Sequence, residues 1–140
     1  MKIVINTCHG GFSLSDAVMY RYAEIKGITL YPEGEGGVFS RTAFYTVPAD
    51  QRVKELLGNW MDHSEEARKA YTDRYEKECL YDRDMNRDDP ILVQVVEELG
   101  RKANGVYATL KVVEIPDGVE WQIEEYDGAE WIAEKHRTWS

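Results

Sequence analysis

The sequence predicts an α+β fold: a mixed or antiparallel sheet carrying three to four helices, with a C-terminal β-meander. Three observations predict it. The chain opens on a short apolar run, MKIVI, that reads as a buried strand. Further on, DDPILVQVVEELGRKANG places apolar residues at helical spacing behind a good cap. After it come three strand-like runs separated by Pro-Asp-Gly and Asp-Gly turn signals.

Residues 2–8, KIVINTC, are the first expected strand. HGGFS follows as a bend. SLSD at 13–16 matches a capping box, with Ser13 as the cap and Asp16 reaching back. The helix behind it carries Ala17, Val18, Tyr20, Tyr22, Ala23 and Ile25, and Gly27 ends it. ITLY at 28–31 reads as a second strand, which makes a unit long enough for a parallel crossover. PEGEGG at 32–37 is the clearest flexible segment. VFSRTAFYTVP at 38–48 alternates as a strand or a hairpin partner. Asp50 looks like a helix cap, with Val53, Leu56, Leu57, Trp60 and Met61 on one helical face.

Ser64 starts a mostly polar helix through about Cys79, with Ala67, Ala70, Tyr71 and Tyr75 as its apolar stripe. Asp89 then caps the helix at 90–103, and Pro90 suits its first position. Ile91, Leu92, Val95, Val96, Leu99 and Ala103 form its inward face. Arg101 and Lys102 sit near the negative end of its dipole, and Gly105 can terminate it. Runs at 107–115, 119–126 and 129–139 complete the meander.

The 140 residues fit a single domain, 1–140, and 43% hydrophobic content is enough to build a core. The net charge of -9 repels phosphate backbones, so no nucleic-acid partner is expected. An anionic ligand would need a locally basic pocket. MKIVINTC is broken too soon for a secretory signal, and no apolar stretch is long enough to span a membrane. Cys8 and Cys79 make no disulfide framework, so a soluble, reducing compartment is the simplest reading. Four Trp and nine Tyr suit ligand stacking or subunit contact, and a homo-oligomer is expected.

The chemistry centres on the glycine pair. Gly10 and Gly11 let backbone amides approach a ligand, and the helix start behind them suits phosphate. The spacing is neither a P-loop nor a dinucleotide fingerprint, and such a pair is more often only a bend. Cys8 and His9 are neighbours that point to opposite faces, a poor nucleophile–base pair, and Cys8 reads as buried and structural. His9, His63 and His136 have no metal-ligand spacing, so neither metal nor cofactor is expected. DRDMNRDD at 82–89 could hold magnesium through carboxylates, but it lacks calcium-loop spacing, Arg83 and Arg87 partly neutralise it, and a solvated lead-in to the next helix is the default reading. Arg83, Arg87 and Arg137 lie at element ends, where their forks can meet paired phosphate oxygens. Arg137 stands beside His136 and Trp139: a cation, an imidazole and a stacking surface that can hold a nucleotide. A terminal strand packing its aromatics on the core accounts for the same residues.

The opening MKIVINTCHGGFSLS resembles that of a small bacteriophage protein family, MKIVIN followed by C-x-GGF-x-LS. RDDPILVQVVEELG, LKVVEIPDGVEWQIEEYDG and AEKHRTW resemble the same family's C-terminal half, and these runs cover over half the chain. Residues 32–80 lie outside the resemblance and form a variable middle. The resemblance implies a phage product in the host cytoplasm, of a size frequent among counter-defence factors. One class of these sequesters host nucleotide immune signals, such as the cyclic ADP-ribose isomers and ADP-ribose conjugates of Thoeris defence, without cleaving them. The expected ligand site is then Asn6, His9, Gly10, Gly11, Phe12, Ser13, Arg83, Arg87, Arg137 and Trp139. The amides of Gly10 and Gly11 would hold pyrophosphate, and Phe12 or Trp139 would stack on the base. The alternatives are a small nucleotide-signal hydrolase built on Cys8, His9 and His136, or an acidic inhibitor that binds a host enzyme.

Overall fold

Ile3, Val4 and Ile5 lie almost wholly out of solvent in strand β1 (Lys2–Asn6). An uninterrupted apolar run is what a strand covered on both faces needs. In this computed structural model, residues 1–34 and 42–135 are described. Contacts divide the chain into two compact units, Met1–Ile25 with Asp82–Ser140, and Lys26–Tyr81.

In the first unit, β1 pairs antiparallel with β4 (Leu110–Glu114), in a register that sets Val4 opposite Val112. Helix α1 (Asp16–Lys26) buries Val18, Met19, Tyr22 and Ala23. Helix α3 (Pro90–Leu99) buries Leu92, Val93, Val95 and Val96. As expected, Asp89 caps α3, accepting from the Ile91 amide at 2.9 Å; it also accepts from the Tyr22 hydroxyl at 2.6 Å. The α-helix ends at Gly100, which takes φ +56°, and a 3-10 turn carries the chain through Ala103. Strands β5 (Trp121–Tyr126) and β6 (Ala129–Glu134) form the C-terminal hairpin. Asp127 and Gly128 both have positive φ, as a two-residue type I′ turn requires.

The architecture is α+β, with three α-helices and small antiparallel sheets among the described residues. β4 is drawn back to β1, so within the expected meander the paired strands are β5 and β6. The parallel crossover expected over 2–31 does not form. The second edge of β1 is taken by Arg87, whose carbonyl accepts from the Val4 amide at 2.9 Å. The expected cap of α1 is also displaced. Ser15, not Ser13, holds the helix start, accepting from the Val18 amide at 3.4 Å and donating to the Lys102 carbonyl at 2.6 Å. Gly105 does not end a helix. Its amide donates to the Ser13 carbonyl at 3.1 Å, and a Cβ there would collide with the Ser13 hydroxyl.

In the second unit, β2 (Tyr31–Glu33) pairs antiparallel with β3 (Ala43–Tyr45), as the hairpin alternative anticipates. The expected flexible run overlaps β2 at its start, and its remainder from residue 35 lies outside the described residues. The expected helix from Asp50 through Met61 is replaced by 3-10 turns at Ala49–Gln51 and Trp60–Asp62. The Val53 amide turns away to the Glu78 carboxylate at 2.8 Å, and Gly58 at φ +81° interrupts the run. Helix α2 (Glu65–Lys77) starts where expected, with the Ser64 hydroxyl accepting from the Ala67 amide at 3.1 Å. Its half-buried Tyr71 and Tyr75 stack with centroids 5.9 Å apart, while Ala70 is exposed. Among the described residues no helix is long and apolar enough to cross a membrane.

Candidate functional site

Six of the ten expected site residues meet at the C-terminal end of β1: Asn6, His9, Gly10, Gly11, Phe12 and Arg87. Asn6 is fully buried, and its amide organises the loop. The side-chain oxygen accepts from the Thr109 amide at 2.8 Å, and the side-chain nitrogen donates to the carbonyls of Cys8 at 2.7 Å and Gly128 at 2.9 Å. Gly10 lies so close to Tyr107 that a Cβ would strike the Tyr107 carbonyl. The Asp127–Gly128 turn sits against the same loop. A Cβ on Gly128 would lie 2.6 Å from the His9 carbonyl oxygen and 2.8 Å from the Gly11 amide nitrogen. His9 Nδ1 is 3.2 Å from the Asp127 carbonyl. The glycine pair thus admits a neighbouring turn of its own chain at close range.

Arg87 meets a carboxylate. It donates to both oxygens of Glu130, at 2.8 and 3.0 Å, and to the Val4 carbonyl at 3.2 Å. Its guanidinium lies 3.4 Å from the Phe12 ring centroid, covering one face of that ring. One Glu130 oxygen also accepts from the Asn6 amide at 2.8 Å. The Glu130 side chain is only 8% exposed. A buried anion on Arg87 and the Asn6 backbone amide opposes a phosphate at that arginine. Ser13 belongs to the contact with Gly105, and Arg83 is exposed in the turn Asp82–Asp84. Arg137 and Trp139 lie outside the described residues, as does His136.

Cys8 is half-exposed rather than buried, which corrects the sequence expectation. Its thiol donates to the Tyr107 carbonyl at 2.9 Å. The Gly10 amide holds its pKa below the ordinary thiol value; partial burial opposes this, while Thr109 and Asn6 reinforce it. The segment 82–89 is not merely solvated: Met85 is buried, and Asp82, Arg87 and Asp89 all bond within the first unit. Among the described residues no three His, Cys, Asp or Glu side chains converge as a metal site.

Sequence reading missed Glu130, Thr109 and Gly128 as partners of this loop. The legible signal was Asp127-Gly128, which fixes a tight turn; where that turn lands depends on long-range packing.

The first unit also holds an apolar groove of about 590 Å³ that sequence reading did not anticipate. Its walls are Pro90, Val93 and Gln94 on one face of α3, with Lys2 of β1 and Met1 just before it. Its rim carries four carboxylates, Asp88, Glu97, Glu98 and Asp117. Lys2 bonds Glu97 at 3.0 Å, and that contact raises the lysine's pKa. The Met1 amino group bonds Asp117 at 2.7 Å and lowers the carboxyl's pKa. Glu98 is paired with Arg21 at 3.1 Å, which lowers its pKa in turn. With Lys2, the Met1 amino group and Arg21 pairing three of the four carboxylates, one negative charge, that of Asp88, is left in excess. The volume falls within the roughly 300–1,000 Å³ of ligand sites. Its chemistry suits an apolar group flanked by positive charge. Comparison with known protein families, with curated proteins and with solved structures finds no match for the chain.

Proposed function

We propose that the protein acts by binding rather than by catalysis, and that it captures a basic, partly apolar segment of another protein in the groove along α3. The observation that carries this reading is the pairing of an apolar floor at Pro90 and Val93 with a carboxylate-rich rim. The chain's net charge of -9 works in the same direction, steering a cationic partner towards the groove. On the resemblance to phage proteins, the partner would be a host enzyme and the outcome its inhibition. Sequestration of a nucleotide immune signal at the glycine loop is placed second, because Glu130 already neutralises Arg87 where the phosphate would sit.

Calorimetric titration with a synthetic amphipathic Leu/Lys peptide and its Leu/Glu counterpart tests the proposal. The Lys peptide should bind with Kd near ~1 µM and the Glu peptide far more weakly. Glu97→Lys, together with Gln94→Arg, should weaken the Lys peptide by about 10-fold or more, since both add positive charge to exposed rim positions. Equal affinity for the two peptides, or indifference to the paired substitution, sinks the groove as the site. A parallel filtration with ADP-ribose-type and cyclic oligonucleotide signals addresses the second reading. A signal retained and then released intact on heating would move nucleotide capture to the front.

A further inference from the structure

Arg68 presents an unresolved electrostatic demand. Its Nε is buried without a hydrogen-bond partner, and one terminal nitrogen donates only to the Met61 thioether sulfur, at 3.5 Å. Sulfur is a weak acceptor, and an unpaired buried N–H of a charged group is unfavourable unless something arrives to satisfy it. Arg68 lines a pocket of about 380 Å³ on α2 together with Trp60, Glu65, Lys69, Thr72 and Asp73. The pocket lies wholly within the second unit.

Trp60 is held in place from behind. The Asn59 side chain accepts from the Met61 amide at 3.1 Å and caps the short turn that carries it. The edge of Tyr71 packs against its indole, with centroids 5.8 Å apart at 72°. That support leaves Trp60 42% exposed, so a large rigid aromatic surface faces solvent beside two cations. Lys69 adds a second positive charge one residue on from Arg68. Thr72 adds a hydroxyl one turn further along α2.

We propose that this pocket is a binding site for a flat ring carrying an oxyanion, with the ring on Trp60 and the anion shared by Arg68 and Lys69. The guanidinium fork matches paired oxygens of a phosphate or carboxylate, and an aromatic ring accepts any planar base or aryl group. Glu65 and Asp73 stand on the same helix face and cancel the two cations. The site therefore selects for the ring and the fork together: charge alone gives it little hold on a bare anion. This site is independent of the groove on α3, and either stands without the other.

The test uses the full chain, titrated calorimetrically with adenosine 5′-monophosphate, adenosine, 4-hydroxyphenylacetate and inorganic phosphate at low salt. The first and third probes carry ring and oxyanion, and the tighter of the two tells a phosphate source from a carboxylate source. Adenosine and inorganic phosphate should each bind at least ~10-fold more weakly than the better of these, since each lacks one half of the recognition. Trp60→Leu and Arg68→Gln should each cost about 10-fold or more. Arg68→Lys keeps the charge without the fork, should lose a similar factor, and serves if Arg68→Gln folds poorly by circular dichroism. Asp73→Asn should tighten binding roughly 2-fold by removing an opposing charge. Absence of binding by both ring-bearing anions overturns the proposal. So does binding that Trp60→Leu and Arg68→Lys leave unchanged, or inorganic phosphate binding as tightly as the monophosphate.

Discussion

Arg87 grips both carboxylate oxygens of Glu130, at 2.8 and 3.0 Å, across the otherwise open edge of β1. The pair does what a neighbouring strand would do. Arg87 supplies a carbonyl to the Val4 amide and a guanidinium N–H to the Val4 carbonyl. Glu130 takes the Asn6 amide. Three polar groups of an edge strand are thereby satisfied without a third strand, which also blocks pairing with another chain at that edge.

Removing either partner strands the other. With side-chain exposures of 21% and 8%, the pair is buried enough for the survivor to keep little hydration. Glu130→Ala and Arg87→Ala should each cost about 3 kcal/mol, and the double variant less than the sum. Urea unfolding of the three variants measures this. Losses under ~1 kcal/mol would place the pair among surface ion pairs and remove the edge-capping account.

The glycine loop makes an ordered prediction at two adjacent positions. A Cβ on Gly10 meets the Tyr107 backbone, which cannot yield without moving the chain; Gly11 has open space but sits at φ +89°. Gly11→Ala should therefore cost about 1 kcal/mol from backbone strain alone. Gly10→Ala should cost more, about 2 kcal/mol or above: its φ is ordinary, but the added Cβ clashes with the Tyr107 backbone. Thermal midpoints rank the two directly. The reverse order would mean that the loop is not held against Tyr107 as described.

Local chemistry carried the legible part of this fold. Asp89-Pro90 and the spacing of Leu92, Val95 and Val96 specify α3 without outside help. Ser64 and its helix follow the same logic, as does the Asp127-Gly128 turn. Several failures are cases where a distant group overrode the local pattern. Val53 and Trp60 match a helical period, yet the Val53 amide goes to Glu78, 25 residues on. Ser13 looks like a cap, yet Gly105 claims it and Ser15 takes over. The candidate site behaves likewise. Asn6, the glycines, Phe12 and Arg87 lie together in the structure. The sequence could not disclose Glu130, because nothing local marks one strand glutamate among several as the buried one. The acidic groove on α3 was equally hidden: Pro90, Val93 and Gln94 are an ordinary helix start until β1 and the turn at Asp117 stand beside them.

Cys8 should be the reactive thiol of the two. Cys8 is half-exposed, with the Gly10 amide and Thr109 as stabilising donors to its thiolate, whereas Cys79 is buried. Alkylation by iodoacetamide, followed by peptide mass, should label Cys8 first. Its rate against pH should have a midpoint below that of a free thiol. Thr109→Val removes a hydroxyl donor and should move that midpoint up, with the Gly10 contribution remaining. The sign for stability follows from the same shift. The folded thiol ionises at lower pH than the unfolded one, so the increment is present above the unfolded value and fades as pH falls through the folded one. A midpoint at or above the ordinary thiol value, or faster labelling of Cys79, would contradict the donor arrangement around Cys8.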